Sequence, residues 1–181
     1  MGILGPNIFN NRDIKDKGNR PVIKFSINRL ELFMEIFALG GLIAMAFLLF
    51  NSYSLLPDMI PKHFDMAGQV DDWGSPNTIL FAPLVCVGIY VLLTISARFP
   101  HTYNYIVAIT ANNASIQYRL GRQMMFILKT VIIWMFFYIT YASIEVALGN
   151  MQGLNSVMMI GFLVLIFVTI GVYMYLSYKN R

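Results

Sequence analysis

Four long apolar runs with few charged residues constrain the fold of this chain more than any other feature. They lie at about residues 30–51, 78–97, 124–148 and 156–177. Each run has about 20 residues or more, which is long enough for a helix to cross a hydrocarbon core of about 30 Å. Because lipid offers no hydrogen bonds, a spanning segment that is not part of a closed barrel must be helical. We therefore expect an all-α membrane protein with four transmembrane helices in an antiparallel bundle.

The composition agrees with this fold class and excludes others. Hydrophobic residues make up 57% of the chain and charged residues 12%, and the mean hydropathy is +0.63. Soluble domains carry about twice that share of charge, and disordered chains are less hydrophobic. Cys86 is the single cysteine, so an intramolecular disulfide is excluded.

Basic residues predict the orientation of the spans. All of the thirteen Lys and Arg residues except Lys62 fall on one side of the predicted membrane. Since basic residues favour the cytoplasmic side, we expect a bacterial cytoplasmic membrane protein with both termini in the cytoplasm. The basic residues then form a rim that contacts the lipid bilayer, and they are no indication of nucleic-acid binding.

The segments between the runs differ in character. Residues 1–29 form the predicted cytoplasmic N-terminal segment, 52–77 an outer loop and 98–123 an inner loop, within a membrane domain of residues 30–178. We expect a helix to begin at the Asn112/Asn113 cap and to continue into the third span. Gly40 and Gly41 predict a face of the first span where another helix packs closely.

The outer loop carries more apolar residues and turn formers than a simple tether would. Alternation at Ile60, Lys62 and Phe64 predicts an extended piece, and Met66-Ala67-Gly68 predicts a turn. We therefore expect a small, ordered, hairpin-like cap on the extracytoplasmic face, with Trp73 at head-group depth.

The loop also carries a recognisable string, Leu56-Pro57-Asp58-x-Ile60-Pro61-x-His63-Phe64-Asp65-x-x-Gly68-x-x-Asp71-x-Trp73-Gly74. This string resembles the bacterial membrane family catalogued as domain of unknown function 1648. It is also similar to the N-terminal part of SdpI-like toxin-immunity proteins. A later string from Asn104 to Tyr118 resembles the same family, so the resemblance covers roughly residues 50–150. It implies a membrane protein with a role close to immunity.

Candidate site residues concentrate in the outer loop. His63, Asp65, Asp71 and Asp72 lie within ten residues, and Glu145 near the outer end of the third span approaches the same surface. A histidine with carboxylates can bind a metal, and His63, Asp65 and Glu145 are the candidate ligands. The simpler interpretation, which we favour, is that these side chains hold the loop fold, because no HExxH or CxxC spacing is present.

Two further sets of polar residues lie in or beside the spans. Tyr138, Tyr141 and Glu145 share one face of the third span and form a candidate polar site. At the inner side, ion pairs are expected between the first span and the helix that continues into the third. The candidates are Glu31, Glu35, Arg119 and Arg122, with Lys129 near them.

Three functions fit these features. The first is a non-enzymatic binding, accessory or immunity-like protein whose loop 56–74, with Trp73, recognises a peptide, an envelope component or a membrane-protein partner. The second is a small transporter subunit that uses Glu145, Tyr138 and Tyr141, and a homo-oligomer would give it more room for a pathway. The third is a membrane metalloenzyme. No catalytic residue and no cofactor is assigned, because the sequence has no nucleophile elbow and no phosphate-binding loop.

The predicted orientation is tested by labelling an engineered cysteine. We expect Gln69→Cys to react with a membrane-impermeant maleimide added outside intact cells, since residue 69 lies in the outer loop. The natural protein, with Cys86 inside a span, is the control and should stay unlabelled. Reaction of Gln69→Cys only from the inner compartment would invert the topology.

Overall fold

The computed structural model describes residues 20–181, and this part of the chain is mostly helical. The four long helices are α1 (Arg29–Ser52), α2 (Phe81–Ser96), α3 (Ala114–Ala147) and α4 (Ser156–Lys179). With the short 3-10 turns beside α1 and α2, all four are long and apolar enough to cross a membrane, which confirms the prediction of a multi-pass membrane protein. Most of the predicted N-terminal segment lies outside the described residues.

The helices begin where local side chains satisfy free backbone groups. At α1, the Asn28 side chain accepts from the Glu31 amide while Glu31 accepts from the Asn28 amide, which is a capping box. At α4, Asn155 accepts from the amides of Val157 and Met158. Each cap satisfies backbone donors that have no partner within the helix.

The start of α3 follows Asn113, as the sequence predicts, but the side chain acts differently. Asn113 accepts from the Thr110 amide at 2.8 Å and donates to the Ala108 carbonyl at 2.9 Å. It therefore shapes the turn before the helix and makes no capping bond to the helix itself. From there α3 runs without a break to Ala147.

Helix α3 lies at the centre and packs against α1, α2 and α4. Its contacts with α1 advance in the same direction along the two helices. Thr130 donates to the Met34 carbonyl, and one turn later Trp134 donates to the Phe37 carbonyl. These two helices therefore run parallel. The most extensive packing of α3 is with α1, and the antiparallel arrangement of the whole bundle stays a prediction.

Three apolar clusters follow α3 from one end to the other. The central cluster contains Ala38, Met45, Cys86 and Ile133, from α1, α2 and α3. A second contains Ile60, Ile79 and Ile144, and the third contains Ile109, Ala114 and Tyr118. Because α3 contributes to all three, it is the common wall of the interior.

The outer loop contains two short strands, β1 (Ile60–Phe64) and β2 (Val70–Gly74), paired antiparallel. Ile60 lies opposite Gly74 and Phe64 opposite Val70, with an irregular register around His63. Ile60 is buried against Ile144 of α3. The hairpin is thus packed on the end of the bundle, which we call the hairpin end; the other end, with Arg122 and Arg98, we call the basic end.

Close packing between α1 and α3 depends on one of two adjacent glycines. A Cβ at Gly41 would lie 2.9 Å from Cγ2 of Ile133, whereas a Cβ at Gly40 would meet nothing within 4 Å. Small residues allow such close approach of helices in a membrane. The two glycines therefore have different roles despite being neighbours.

We expect Gly41→Leu to destabilise the protein by about 1–3 kcal/mol, because the side chain overpacks the α1–α3 contact. Gly40→Leu is the matched control and should be neutral or slightly stabilising, since leucine is the better helix former. Thermal unfolding of the purified protein in detergent measures both. Equal losses would contradict the packing described here.

Candidate functional site

Two exposed side-chain contacts join the strands of the hairpin. Lys62 Nζ lies 2.8 Å from Asp72, and His63 Nδ1 lies 2.6 Å from Asp71. The hydrogen bond from Lys62 is the main reason that the pKa of Asp72 is below its usual value. Because both pairs are exposed, they contribute little to stability and serve mainly to order the side chains.

The turn of the hairpin is tied by Asp65. Its side chain accepts from the Gln69 amide at 2.8 Å, and its backbone amide donates to the Gln69 carbonyl at 2.8 Å. Gly68 follows with a φ of +81°, a conformation that side chains other than glycine adopt at a cost. The turn is therefore a defined shape and not a loose tip.

This turn docks on the loop between α3 and α4. The Leu154 amide donates to the Gly68 carbonyl at 2.8 Å, and the Ser156 hydroxyl donates to the Ala67 carbonyl at 2.8 Å. A Cβ at Gly68 would lie 2.1 Å from the Leu154 carbonyl oxygen. The two outer segments, which are distant in sequence, thus form one surface.

A groove of about 450 Å³ opens beneath this junction, which we call the hairpin groove. One wall is the hairpin, from Lys62 to Met66 with Gly68, and it brings His63 and Asp65 to the rim. The other wall is apolar and consists of Ile139 and residues of the α3–α4 loop and α4. These are Leu154, Met159, Ile160 and Leu163, with Ser156 between them. The groove can hold an apolar group beneath a charged rim.

The structure divides the predicted loop residues between two places. His63 and Asp65 line the hairpin groove. Asp71 and Asp72 lie on β2, where they pair with His63 and Lys62. Trp73 lies on β2, opposite Pro61 of β1, and is half exposed. It does not line the groove.

The predicted metal ligands do not come together. Within residues 20–181, no three His, Cys, Asp or Glu side chains are grouped so that they could hold a metal ion. His63 pairs with Asp71, Asp65 ties the turn, and Glu145 accepts from the Asn150 side chain at 2.9 Å. In the described residues these three side chains therefore have separate partners, and a metal site formed from them stays an untested alternative.

Tyr138 and Glu145 hold the α3–α4 loop. The Tyr138 hydroxyl accepts from the Asn155 amide at 2.8 Å, and the Glu145 carbonyl accepts from the amides of Asn150 and Met151. Tyr141 on the same helix is exposed. The contacts of Tyr138 and Glu145 shape the loop that receives the hairpin.

A second polar cluster lies toward the basic end. Arg122 donates from Nε and Nη2 to the two carboxylate oxygens of Glu31, at 3.1 and 3.0 Å. Lys129 pairs with Glu35 and donates to the Thr94 hydroxyl at 2.8 Å, and Tyr90 donates to Glu35. These bonds join α1, α2 and α3.

The predicted inner ion pairs thus involve Glu31, Glu35 and Arg122, whereas Arg119 is exposed and forms no ion pair in the part of the chain described. Sequence reasoning missed Tyr90 and Thr94 as partners. Their spacing of four residues within an otherwise aliphatic run is the signal that could have found them, because it places both on one face of α2.

Comparison with known protein families gives one match, which covers only a part of the chain. Residues 40–87 match the family described as "Domain of unknown function (DUF1648)". The match takes in the second half of α1, the hairpin and the beginning of α2, and it supports the resemblance to this family. No curated protein and no solved structure matches the chain. The similarity to immunity proteins stays a prediction.

The docking of the hairpin is tested by a pair of glycine variants. Gly68 and Gly149 both have positive φ, so alanine at either position costs about 1–2 kcal/mol of backbone strain. Only at Gly68 does the added Cβ meet backbone atoms, whereas at Gly149 it meets nothing within 4 Å. We expect Gly68→Ala to speed hydrogen exchange at the Leu154 amide and in the hairpin, and Gly149→Ala to leave both unchanged. Equal exchange in the two variants would contradict the docked arrangement.

Proposed function

We propose that this protein is a non-enzymatic, immunity-like binding protein of the bacterial cytoplasmic membrane, and that it captures a cationic amphipathic peptide in the hairpin groove. The observation that carries the proposal is the groove itself, in which an apolar wall of α4 faces a rigid, charged hairpin. Its volume falls in the range of sites that bind small ligands or the anchoring side chains of a peptide.

The location of the groove favours an amphipathic ligand. Met159, Ile160 and Leu163 lie within the first turns of α4, so the apolar wall is close to the hairpin end of the bundle. A peptide that lies along the membrane surface presents apolar residues on one side and polar residues on the other. Such a peptide can place its apolar face in the groove while its polar face contacts the hairpin.

The charge of the hairpin favours a cationic ligand. The segment 56–74 contains four aspartates and a single lysine, Lys62. Asp71 and Asp72 have partners, whereas Asp58 forms no ion pair in the described chain and Asp65 uses one oxygen to hold its own turn. The groove lining itself holds one carboxylate, Asp65, and one ammonium, Lys62. The acidic segment around it attracts basic residues and repels anionic molecules, which supports selectivity and fast association.

The predicted orientation completes the proposal. If both termini are cytoplasmic, the hairpin faces outward, and a peptide from outside reaches the groove before it enters the bilayer. We do not propose a transport pathway through Glu145, Tyr138 and Tyr141, because the contacts of Tyr138 and Glu145 hold the α3–α4 loop.

Photocrosslinking in nanodiscs of zwitterionic lipid tests the proposal. The probe is a synthetic amphipathic peptide of leucine and lysine, and its counterpart has glutamate in place of lysine. With a photoreactive phenylalanine analogue at Met159 in the groove, we expect crosslinks to the lysine peptide. The same analogue at Val164, an exposed α4 position outside the groove lining, is the control and should give few.

A charge variant adds a quantitative measurement. Asp65→Asn should weaken binding of the lysine peptide about threefold, the effect of one exposed charge pair, while the asparagine oxygen still holds the turn. Glu145→Gln removes one charge at the same end but keeps the backbone carbonyl and a side-chain oxygen that accepts from Asn150, and residue 145 does not line the groove, so binding should stay at the level of the natural protein. Equal binding of the lysine and glutamate peptides, or equal crosslinking at Met159 and Val164, would refute the proposal.

A further inference from the structure

We propose that a crevice between α1, α2 and α3 at the basic end binds the phosphate of an anionic phospholipid, through Arg98 and Arg122. This site is separate from the hairpin groove and lies toward the opposite end of the bundle. It rests on the shape of the crevice, on an arginine atom that has no hydrogen-bond partner within residues 20–181, and on the balance of charge.

The crevice has a volume of about 280 Å³ and is lined by all three helices and the segment before α1. Thr94 lies in the last turn of α2, Ala97 and Arg98 follow that helix, and Arg122 and Phe126 come from α3. The remaining lining residues are Phe25, Ile27 and Glu35. Direct contact between α1 and α2 is limited, so the gap between them is backed by α3.

Arg122 supplies a hydrogen-bond donor that is already held in place. The residue is only 7% exposed, and Glu31 fixes its guanidinium through Nε and Nη2. Its Nη1 makes no hydrogen bond within residues 20–181 and is accessible from outside the protein. A buried arginine with one free donor next to a cavity is suited to bind an anion, because the geometry of its fork is fixed before the ligand arrives.

The charge around the crevice favours an anion even though Glu35 is part of the lining. Glu35 is paired with Lys129 and accepts a hydrogen bond from Tyr90, so its charge is compensated. Arg122 is compensated by Glu31. Arg98 is exposed and forms no ion pair in the described chain, and it therefore leaves a positive surplus at the mouth of the crevice.

The walls favour a lipid over a soluble phosphate compound. Phe25, Ile27 and Phe126 are apolar, and both Ile27 and Leu30 nearby in the sequence are exposed. Arg98 lies two residues after the end of α2, a helix long and apolar enough to span, so it is expected at the depth of the lipid head groups. Basic pockets between transmembrane helices at this depth bind the head groups of anionic lipids.

Native mass spectrometry of the purified protein tests the site. Phosphatidylglycerol and phosphatidylcholine of the same chain length are titrated separately, and we expect tight retention of one phosphatidylglycerol per chain. Arg98→Gln should lower this retention about tenfold, the effect of losing one charge-assisted hydrogen bond. Arg29→Gln, which removes an exposed charge at the same end outside the crevice, is the matched control and should have little effect.

Two further measurements separate the outcomes. Arg122→Lys keeps the positive charge that faces Glu31 but removes the planar fork, so it should also weaken phosphatidylglycerol binding in a protein that still folds. Glycerol phosphate should compete poorly, because it lacks the acyl chains. Strong competition by glycerol phosphate, equal retention of the two lipids, or equal effects of Arg98→Gln and Arg29→Gln would overturn the proposal. None of these outcomes depends on peptide binding at the hairpin end.

Discussion

Pairing of charge inside the spans is the constraint on which the rest of the structure depends. Glu31 and Glu35 of α1 lie within hydrogen-bonding reach of Arg122 and Lys129 of α3, and Glu31 and Lys129 are almost completely buried. Removing one partner of a buried pair costs about 3–5 kcal/mol, because the other charge is left without compensation. Since both pairs must form together, they set the register of α1 against α3.

The central position of α3 then connects the two ends of the molecule. At the hairpin end, Ile144 supports the hairpin, while Tyr138 and Glu145 hold the loop that receives its turn. At the basic end, Arg122 faces both Glu31 and the proposed lipid site. One rigid helix therefore presents a proposed peptide site at one end and a proposed lipid site at the other, and neither needs a moving part.

Local patterns in the sequence predicted the elements of this fold well. Long apolar runs indicated the four spans, and a cap residue indicated where α3 begins. The same reasoning offered His63, Asp65 and Glu145 as alternative metal ligands, and in the structure each of these side chains binds a different polar partner. Sequence proximity does not reveal which of several partners a carboxylate will take. The hairpin groove was also beyond prediction, since it depends on contact between Gly68 and Leu154.

The sequence by itself determined that this chain enters the membrane with four helices, because burial of backbone polar groups in lipid permits little else. It also determined that charges inside those helices would need partners. Only the tertiary structure decided which partners were chosen, and that α1 packs closely on α3 with Gly41, and not Gly40, at the contact. All surfaces of a spanning helix are similarly hydrophobic, so hydrophobicity does not mark the face that packs. The contact depends on how the helix surfaces fit together, which only the assembled structure shows.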